Sequence, residues 1–563
     1  MKDEEESFIS RLSVFVFSAL RDVWLVWLGL AVLTTLPYVA AALRTPTGYV
    51  FSGVLTAYDD TFTYFAWMRQ SADGHLFMCD PFTSEPQPCE FFLPLWNILG
   101  LIARVTRIPI PLTFHAARLL AGLLLLIVAR DVAGSVMRSR TRARYSLWLY
   151  AMSGGLGWVV FALKTRGHLF GATAASGSAD LNLPEAFAFR SVFSQVHFAV
   201  GVALVCGAIK VFFSALVERK TTRALIAGML VSLLAVVHPY MVIVGCGVAG
   251  VALLALPWLN DKSKAARVDY YSTARAGVAF GAGTIPGTAY LIYLNRSNEV
   301  LREWLRVTDT FSPPAWEYAL GFGIVGALAA IGFCLMWNRR APFGRLLLIW
   351  ALVQAALLYA PVSFQRRFVE GLQLPLSIAA SVALVWIARR AFRGHAAARR
   401  KVFLFFAIAF ASLTNFGFVI GQMVARGAGS GSTDPRRYLQ ADLVGAFDWL
   451  RANSERDAVL FSSYLTGNVA PSMTGLRVFL GHYAQTLHSD EKGAQVTAFY
   501  TGALTDEAAR KLFAAHRVRY VVYGQFEREI SSGFAPPNWL KLAYRNSDVE
   551  IFEVNEAGGS GPP

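Results

Sequence analysis

Two adjacent aspartates are the residues of this chain best suited to acid–base chemistry. Asp59 and Asp60 follow the first apolar run and begin an amphipathic segment that continues to Gln70. An aspartate at such a position can cap the helix by accepting its free backbone N–H groups. Neighbouring helical residues point in different directions, so we expect one carboxylate to cap and the other to act as a general base. Partial shielding from water would raise the proton affinity of that base.

A pair of arginines provides the complementary charge. Arg366 and Arg367 lie between two apolar runs, preceded by Gln365 and followed by Glu370. Guanidinium groups bind phosphate through paired N–H bonds, and charged groups beside the hydrocarbon of a membrane are costly and usually functional. The alternative is that they only form ion pairs or meet lipid headgroups. Other polar residues at the ends of apolar runs are candidates for the same reason: Arg190, Gln195, His197, His238 and Tyr240.

The elements that must position these residues are apolar helices. The 563-residue chain is 55% hydrophobic and 16% charged, whereas a soluble domain is about 25% charged. The net charge of +15 comes from short basic clusters between apolar runs, which is typical of cytoplasmic loops and not of a nucleic-acid-binding surface. We identify about eleven runs near the bilayer thickness: 24–43, 112–129, 145–163, 198–217, 225–237, 241–259, 276–294, 316–337, 346–360, 372–388 and 402–424.

The basic clusters predict a topology. The stretch 91–103 is shorter than a span and contains Pro94, so we interpret it as an interfacial or re-entrant helix. The basic clusters then all lie on the cytoplasmic side, with the C-terminus outside. They are 138–144, 219–223, 262–267, 339–345 and 389–401. The acidic segment 1–23 does not resemble a signal peptide, so we expect a cytoplasmic amphipathic N-terminus and a retained first span.

A separate domain is predicted after the last span. Within residues 425–556, the Gly/Ser stretch 427–432 is typical of a linker, and residues 557–563 are expected to be disordered. Alternating patterns predict helices at 439–452 and 506–516, and strands at 458–462, 477–480, 518–523 and 549–554. The predicted fold class is therefore mainly α, a transmembrane helical bundle of residues 24–424 with a C-terminal soluble α/β domain. There is no nucleotide-binding loop or zinc-ligand spacing.

The long first outer loop, 44–92, contains two cysteines. Cys79 and Cys89 could form a disulfide in an oxidising compartment or remain free thiols. The sequence does not decide between these alternatives.

Several motifs resemble a known superfamily. A span followed by an acidic outer loop, many further spans and an outer α/β domain resembles the GT-C superfamily of lipid-linked-sugar glycosyltransferases. More narrowly, the chain is similar to a group of bacterial multi-pass proteins of unassigned substrate. The motifs are YDDTFTYFAWMRQ (58–70), PFTSEPQP (81–88), FHAARLLAG (114–122), QVHF (195–198), VHPY (237–240), FQRRFVEG (364–371), FDWLRAN (447–453), TGN (466–468) and GHYAQT (481–486).

The resemblance implies an inverting transfer of a sugar from a polyprenyl-phosphate donor to a glycan, lipid or protein acceptor. The site would face outward from a bacterial cytoplasmic membrane, and no nucleic acid is involved. Asp59 or Asp60 would deprotonate the acceptor hydroxyl. The donor phosphate would be held by Arg366, Arg367 and His238, with Arg190 and His197 as further candidates. Substrate contacts would come from Tyr58, Glu85, Gln195, Tyr240, Gln365, Glu370, His482, Gln485 and Thr486. For the last three residues, hydrogen bonding within their own loop is an equal alternative.

The resemblance also bears on cofactors. Oligosaccharyltransferase members of the superfamily bind a metal through additional acidic motifs, which this sequence does not place. We therefore predict no metal ligand and no other cofactor, and a divalent ion is supported only by analogy.

Two other classes of function are compatible with an outer polar cluster. A lipid or glycan transporter would place broken helices and ionisable residues near the middle of the bilayer, often in paired repeats. Here the charges lie near span ends and we find no repeat. A non-catalytic envelope assembly protein would explain the soluble domain but not the acidic and basic groups. We therefore rank the enzyme first.

Overall fold

The chain forms two compact units. The computed structural model describes residues 2–137, 139–165, 177–259, 270–338, 342–394, 396–425 and 434–554. The helical unit comprises Met1–Pro37, Ala117–Leu291 and Thr310–Val424, and the mixed unit comprises Tyr38–Ala116, Ile292–Asp309 and Ala425–Pro563. The predicted linker 427–432 and tail 557–563 lie outside the described residues. The domain boundaries drawn from the sequence stay a prediction.

The helical unit contains apolar helices. Three of them extend beyond the bounds of the unit. The helices are Lys2–Leu43, Ile110–Val136, Arg140–Met152, Gly157–Thr165, Ala179–Asn182, Ala188–Ser194, Val196–Glu218, Thr221–Val237, Met241–Leu259, Tyr270–Ser297, Ala315–Asn338, Pro342–Leu357, Gln373–Ala391, Ala397–Ala411 and Leu413–Val424, with 3-10 turns at Pro184–Ala186 and Gln365–Val369.

The predicted spans coincide with helices. Among the described residues, seven helical stretches are long and apolar enough to cross a bilayer: Arg21–Leu43, Ile110–Val136, Thr141–Leu163, Val196–Glu218, Tyr270–Ser297, Ala315–Trp337 and Gln365–Ala391. Ala397–Ala411 and Leu413–Val424 together form an eighth candidate, bent by 52°. Three shorter apolar helices are Thr221–Val237, Met241–Ala255 and Phe343–Leu357. Each of the predicted runs overlaps one of these elements, so the fold class is confirmed and the protein is a multi-pass membrane protein.

Small residues allow the apolar helices to approach closely. A Cβ atom added to Gly332, in helix Ala315–Asn338, would lie 1.9 Å from the carbonyl oxygen of Ala379 in helix Gln373–Ala391. Because lipid tails are as apolar as leucine, close van der Waals contact replaces the hydrophobic effect between membrane helices. Gly332 is therefore required by packing and not by backbone conformation.

The mixed unit is built on a five-stranded sheet. Strand β1 (Tyr49–Phe51) pairs antiparallel with β2 (Tyr438–Gln440). The sheet contains β3 (Val459–Phe461), β4 (Arg477–Val478), β5 (Val518–Tyr523), β6 (Leu540–Arg545) and β7 (Glu550–Val554) in the order β4-β3-β5-β7-β6. Strand β3 is parallel to β4 and β5, whereas β7 is antiparallel to β5 and β6. The four predicted strands are confirmed, and β6 was not predicted.

Helices pack against this sheet around an aromatic core. Phe461, Phe479, Phe499 and Phe513 are each at most 4% exposed and belong to one cluster. The helices of the mixed unit are Tyr58–Ala72, Pro94–Thr106, Glu299–Val307, Ala441–Asn453, Tyr464–Thr474, Ser489–Tyr500, Asp506–His516 and Gln525–Ile530, with a 3-10 turn at Pro435–Arg437. The two predicted helices, 439–452 and 506–516, are confirmed.

The first outer loop folds within the mixed unit. Its predicted interfacial stretch forms helix Pro94–Thr106, with Ile98 and Val105 exposed and Trp96 buried. Its position in a membrane stays a prediction. The two cysteines left open by the sequence form a disulfide, Cys79–Cys89.

Candidate active site

The aspartate pair occupies the first turn of helix Tyr58–Ala72. The N-cap residue is Ala57, in the left-handed conformation with φ of 49°. The N-cap residue therefore has no side-chain oxygen, and neither aspartate occupies the N-cap position. The predicted division into one capping and one functional carboxylate stays a prediction. Asp60 is exposed, whereas Asp59 is only partly exposed. Both carboxylates lie at the positive end of the helix dipole, which favours negative charge.

Asp59 is engaged by residues far away in the sequence. Arg436 Nη1 lies 2.9 Å from Asp59 Oδ1, and the Tyr464 hydroxyl donates to the same oxygen. Arg436 also donates to Asp434 Oδ2 at 2.6 Å and to Asn468 Oδ1 at 2.7 Å. Its side chain is 6% exposed, against 29% for Asp59. Asp59 thus belongs to a largely buried network centred on Arg436.

This network sets the protonation of Asp59. Burial would raise the pKa of the Asp59 carboxyl, but the hydrogen bond and charge of Arg436 outweigh burial and hold the pKa below its usual value. Burial and the neighbouring Asp59 raise the pKa of the Tyr464 hydroxyl, so it remains a donor. Asp59 is consequently a weak base. The expectation that shielding raises its proton affinity is wrong for this residue.

The predicted substrate residue Tyr58 also contacts the network. The Arg436 guanidinium lies over the Tyr58 ring, 5.4 Å from its centre. Burial, followed by the charge of Asp434, raises the pKa of the Tyr58 hydroxyl.

The GHYAQT motif forms a tight turn in the mixed unit. The hydroxyl of Thr486 accepts from the backbone N–H groups of Gly481 and His482 and donates to the carbonyl of Phe82 at 2.7 Å. The ring nitrogen Nδ1 of His482 accepts from the backbone N–H groups of Ala484 and Gln485. The hydrogen bonds within the turn correspond to the alternative that Thr486 bonds to its own loop and does not contact substrate.

A close backbone approach brings this turn to helix Tyr464–Thr474. A Cβ atom on Gly467 would lie 1.9 Å from the carbonyl oxygen of Leu480, so only glycine fits. Tyr464 and Asn468, which contact the Asp59 network, belong to the same helix. The turn also reaches helix Tyr58–Ala72, since Gln485 Nε2 donates to Thr63 Oγ1 at 3.4 Å.

Glu85, another predicted substrate residue, belongs to a different cluster. Its carboxylate lies 2.7 Å from Lys492 Nζ, which is 3% exposed and also contacts Thr83 and Ser84. The Lys492 charge, opposing the effect of burial, lowers the pKa of Glu85. The structure therefore gives Glu85 a protein partner, and its role toward substrate stays a prediction.

The two arginines of the helical unit meet one buried carboxylate. Arg366 Nε lies 3.2 Å and Arg367 Nη1 3.7 Å from Glu185 Oε1. Glu185 is only 2% exposed, whereas the arginine side chains are 29% and 19% exposed. Guanidinium groups that are partly exposed can also bind an anionic ligand through paired N–H bonds. Glu185 was not predicted, because acidic residues in loops are common.

The backbone around these arginines is held by a buried glutamine. Gln354 Nε2 donates to the carbonyls of Phe368 at 2.8 Å and Glu370 at 2.7 Å. Its oxygen accepts from the indole of Trp350 at 2.6 Å. Gln354 is fully buried. The sequence could have indicated this residue, because a polar side chain within an apolar run is unusual.

The predicted histidines lie together in the helical unit. His238 Nε2 lies 2.6 Å from Glu370 Oε2, and both side chains are at most 5% exposed. The rings of His197 and His238 have centres 5.1 Å apart, and the Tyr240 ring lies 6.0 Å from that of His238. His238, Glu370, His197 and Tyr240 therefore form one group.

The remaining candidates of the helical unit have structural contacts. Arg190 lies over the Phe418 ring, 3.6 Å from its centre, and donates to the carbonyl of Leu181. Gln195 is the buried N-cap residue of helix Val196–Glu218. Gln365 begins the 3-10 turn that contains both arginines. Their roles toward a ligand stay predictions.

Comparison with known proteins identifies the fold. No protein-family model and no curated protein matches the chain. The archaeal oligosaccharyltransferase AglB from Archaeoglobus fulgidus, solved with an inhibitory peptide and a dolichol-phosphate, superposes with a TM-score of 0.53 at 13% identity, over 88% of this chain and 69% of AglB. ArnT from Cupriavidus metallidurans, solved bound to undecaprenyl phosphate, superposes with a TM-score of 0.53 at 11% identity, over 98% of this chain and all of ArnT. Both are GT-C glycosyltransferases.

The chain has the GT-C fold. At such low identity the likeness concerns the fold, and at that level it confirms the resemblance to the GT-C superfamily. The resemblance to the narrower bacterial group stays a prediction. The apolar helices and the terminal sheet of this chain fit that fold.

The described residues of this chain do not form a metal site. The described segments contain no group of three or more His, Cys, Asp or Glu side chains placed to hold an ion. AglB has also been solved in complex with Zn and sulfate, at 14% identity to this chain. Here the Asp59 carboxylate faces a guanidinium, whose charge opposes a second cation. This donor set does not fit a divalent ion.

Proposed function

We propose that this protein is a membrane glycosyltransferase that moves a sugar from a polyprenyl-phosphate donor to an acceptor hydroxyl. The GT-C fold, shared with AglB and ArnT, supports this reaction class. The donor reaches the protein by lateral diffusion in the membrane, so no nucleotide-binding site is required.

The general base of the proposed reaction is Asp60, and the contrast between the two aspartates carries this assignment. Asp59 is held by Arg436 and Tyr464 with a lowered pKa, whereas Asp60 is exposed on the same helical turn. A group that accepts a proton must reach a substrate, and a carboxylate already paired with arginine is a poor acceptor. Asp59 is assigned a positioning role, because its ion pair fixes the turn from which Asp60 projects.

The proposed chemical step is a single displacement. The acceptor O–H bond breaks as its proton passes to the Asp60 carboxylate, and the acceptor oxygen forms a bond to the anomeric carbon of the donor sugar. The bond from that carbon to the phosphate oxygen breaks, and its electron pair leaves with the lipid phosphate. Attack opposite the leaving group inverts the anomeric configuration.

Arg366 and Arg367 are proposed to bind the phosphate of the lipid donor. Both guanidinium groups are partly exposed, so a ligand can reach them, while Glu185 contacts both and orients them. His238 is proposed to support this function through its contact with Glu370, which follows the arginines in sequence.

The proposed orientation follows the positive-inside rule. The N-terminus would lie in the cytoplasm of a bacterium and the acceptor would be used outside the cytoplasmic membrane. Labelling of single cysteines in intact cells tests it. Modification of a cysteine in loop 219–223 by an impermeant reagent would contradict the orientation.

The enzymatic proposal is tested with purified full-length protein and radiolabelled polyprenyl-phosphate sugars. Asp60→Asn is expected to lower kcat by roughly 10²–10⁴-fold, the usual contribution of a general base. Glu529→Gln, which changes an exposed carboxylate of the mixed unit, is the matched control and is expected to transfer normally. Undiminished transfer by Asp60→Asn would remove the proposed base.

The transporter alternative gives a different result in the same preparation. Reconstituted vesicles would then move a labelled lipid-linked sugar between leaflets, without forming a new glycosidic bond in the presence of any acceptor. That outcome would replace the proposed transferase activity.

A further inference from the structure

Several neutral polar groups in the described part of the mixed unit are buried without a hydrogen-bond partner. Three of them belong to residues of the Asp59 network or of the turn beside it: the ring nitrogen Nε2 of His482, the amide nitrogen of Asn468 and the amide oxygen of Gln485. The three residues are 1%, 0% and 2% exposed, respectively. Each group left unpaired in a protein interior costs about 1–3 kcal/mol, and native structures contain few of them. Three such groups in one region therefore indicate a ligand site.

The second polar atom of each of these three side chains already makes a hydrogen bond. Asn468 Oδ1 accepts from Arg436 at 2.7 Å, and Gln485 Nε2 donates to Thr63 at 3.4 Å. His482 Nδ1 accepts from two backbone N–H groups of its own turn. None of the three can rotate to satisfy its unpaired atom without losing an existing bond.

The chemical character of the three groups is defined by these bonds. Because Nδ1 of His482 accepts hydrogen bonds, the ring proton lies on Nε2, which is a donor. Burial lowers the pKa of His482 to about 4, so the ring is neutral near pH 7. Asn468 offers an amide donor and Gln485 an amide acceptor. The set thus contains two neutral donors and one neutral acceptor.

We propose that His482, Asn468 and Gln485 form a binding subsite for the hydroxyl groups of a neutral sugar ring. A hydroxyl donates and accepts at once, which matches neighbouring donors and acceptors. A phosphate would require net positive charge, but here the Arg436 charge is already paired with Asp59 and Asp434. The identity of the bound sugar as a substrate rests on the proposed function.

Tyr483 provides the apolar side of this subsite. Its ring is 56% exposed and stacks on the His482 ring, with centres 5.0 Å apart and planes inclined by 18°. The Tyr483 ring therefore covers one face of the imidazole, and the exposed side of the Tyr483 ring can contact the C–H groups of a sugar. Tyr483 is therefore assigned as the cover of the subsite.

Binding of neutral methyl glycosides to the full-length protein tests the proposal. Saturation-transfer NMR with the methyl glycosides of glucose, galactose and mannose measures the affinity of each sugar. His482→Asn keeps an oxygen in place of Nδ1, which preserves the turn, but removes the Nε2–H donor. Asn468→Asp keeps the oxygen facing Arg436 and removes the amide donor. Each variant is expected to weaken glycoside binding by at least about tenfold, which corresponds to one lost hydrogen bond.

Matched controls separate this effect from a loss of folding. His488→Asn changes an exposed histidine of the neighbouring loop in the left-handed conformation, which asparagine tolerates, and is expected to bind normally. In ¹⁵N-histidine-labelled protein, the glycoside is expected to shift the Nε2 resonance of His482. Unchanged affinity in both site variants, or inorganic phosphate displacing the glycoside at equal concentration, would overturn the subsite.

Failure of the subsite and failure of the proposed function are distinguishable. Glycoside binding that depends on His482, in a protein that transfers no sugar, supports the subsite and contradicts the transferase. Transfer that depends on Asp60 with an unchanged KM for acceptor and donor in His482→Asn contradicts the subsite alone.

Discussion

Asp59 and Arg436, separated by 377 positions, form an ion pair of 2.9 Å in the mixed unit. This contact connects the first outer loop with the segment after the last span. It also distinguishes two adjacent aspartates, since Asp59 is partly buried against Arg436 and Asp60 is exposed. The proposed assignment of the general base to Asp60 therefore depends on Arg436, a residue outside the motif.

Removal of Arg436 is expected to destabilise the mixed unit. Arg436→Gln leaves Asp59 and Asp434 without their common cation, and each is only about one-quarter exposed. We expect Arg436→Gln to lower the free energy of unfolding by about 1–3 kcal/mol. This loss is smaller than that for a fully buried pair, because solvent screens the two partly exposed carboxylates. Thermal unfolding in detergent measures it. Arg545→Gln, which removes a more exposed pair with Glu550, is the control and should change stability by about 0–1 kcal/mol. Equal losses in the two variants would contradict the structural role of Arg436.

Asp80 is expected to make stability depend on pH. Burial raises the pKa of the Asp80 carboxyl to about 8, while its Oδ1 accepts from the backbone N–H of Phe82. Between about pH 4 and that value the folded state holds a proton that the unfolded state releases. The free energy of unfolding should therefore fall as pH rises through this window.

The variant Asp80→Asn isolates this contribution. The amide retains an oxygen for Phe82 and does not ionise, so the fall in stability between pH 5 and pH 8 is expected to be smaller than in the wild type. Unfolding midpoints at the two pH values measure it. An identical pH dependence in both proteins would show that Asp80 does not titrate in this range.

The disulfide Cys79–Cys89 is expected to stabilise the loop 79–89, which contacts the C-terminal part of the mixed unit. The loop it closes contains Glu85, which pairs with Lys492 at 2.7 Å, and Phe82, whose carbonyl accepts from Thr486. Closing a loop of this length stabilises a fold by about 2–4 kcal/mol, chiefly by restricting the unfolded chain. The double variant Cys79→Ser, Cys89→Ser should lower the unfolding midpoint accordingly.

Reduction of the wild-type protein provides an independent measure of the same effect. Dithiothreitol should lower the midpoint of the wild type toward that of the double variant and leave the double variant unchanged. The three other cysteines are free thiols, so this control reports on one bond. No change on reduction would show that the segment is held by its other contacts.

Loss of Gln354 is expected to weaken donor binding through the backbone of the arginine turn. Gln354→Leu removes the donor to the carbonyls of Phe368 and Glu370 and the acceptor for Trp350. Each polar group left unpaired is expected to lower the free energy of unfolding by about 1–3 kcal/mol. If Arg366 binds the donor phosphate, the KM for the lipid donor should rise more than kcat falls. Val353→Ile is the neighbouring control, and an unchanged donor KM in Gln354→Leu would separate the turn from phosphate binding.

The sequence by itself determined the membrane helices. Hydrophobic runs such as 198–217 and 316–337 predict helices directly, because the backbone must satisfy its hydrogen bonds locally in lipid. The strands of the terminal sheet were also predictable where β-branched and aromatic residues cluster, as in β5. The polar residues at span ends were also predictable as candidates, since charge near hydrocarbon is rare, and their roles stay predictions.

Only the tertiary structure decided how these polar residues pair. The partners of Asp59, Arg366 and His238 are Arg436, Glu185 and Glu370, which lie between 132 and 377 positions away in sequence. Pairing over such separations depends on which loops the fold brings together, and no local pattern encodes it. The same reason explains why the sequence left the Cys79–Cys89 disulfide open and why it could not divide the roles of Asp59 and Asp60. The residue types and their positions in the sequence indicated the candidates, and the packing of distant segments determined which residues contact each other.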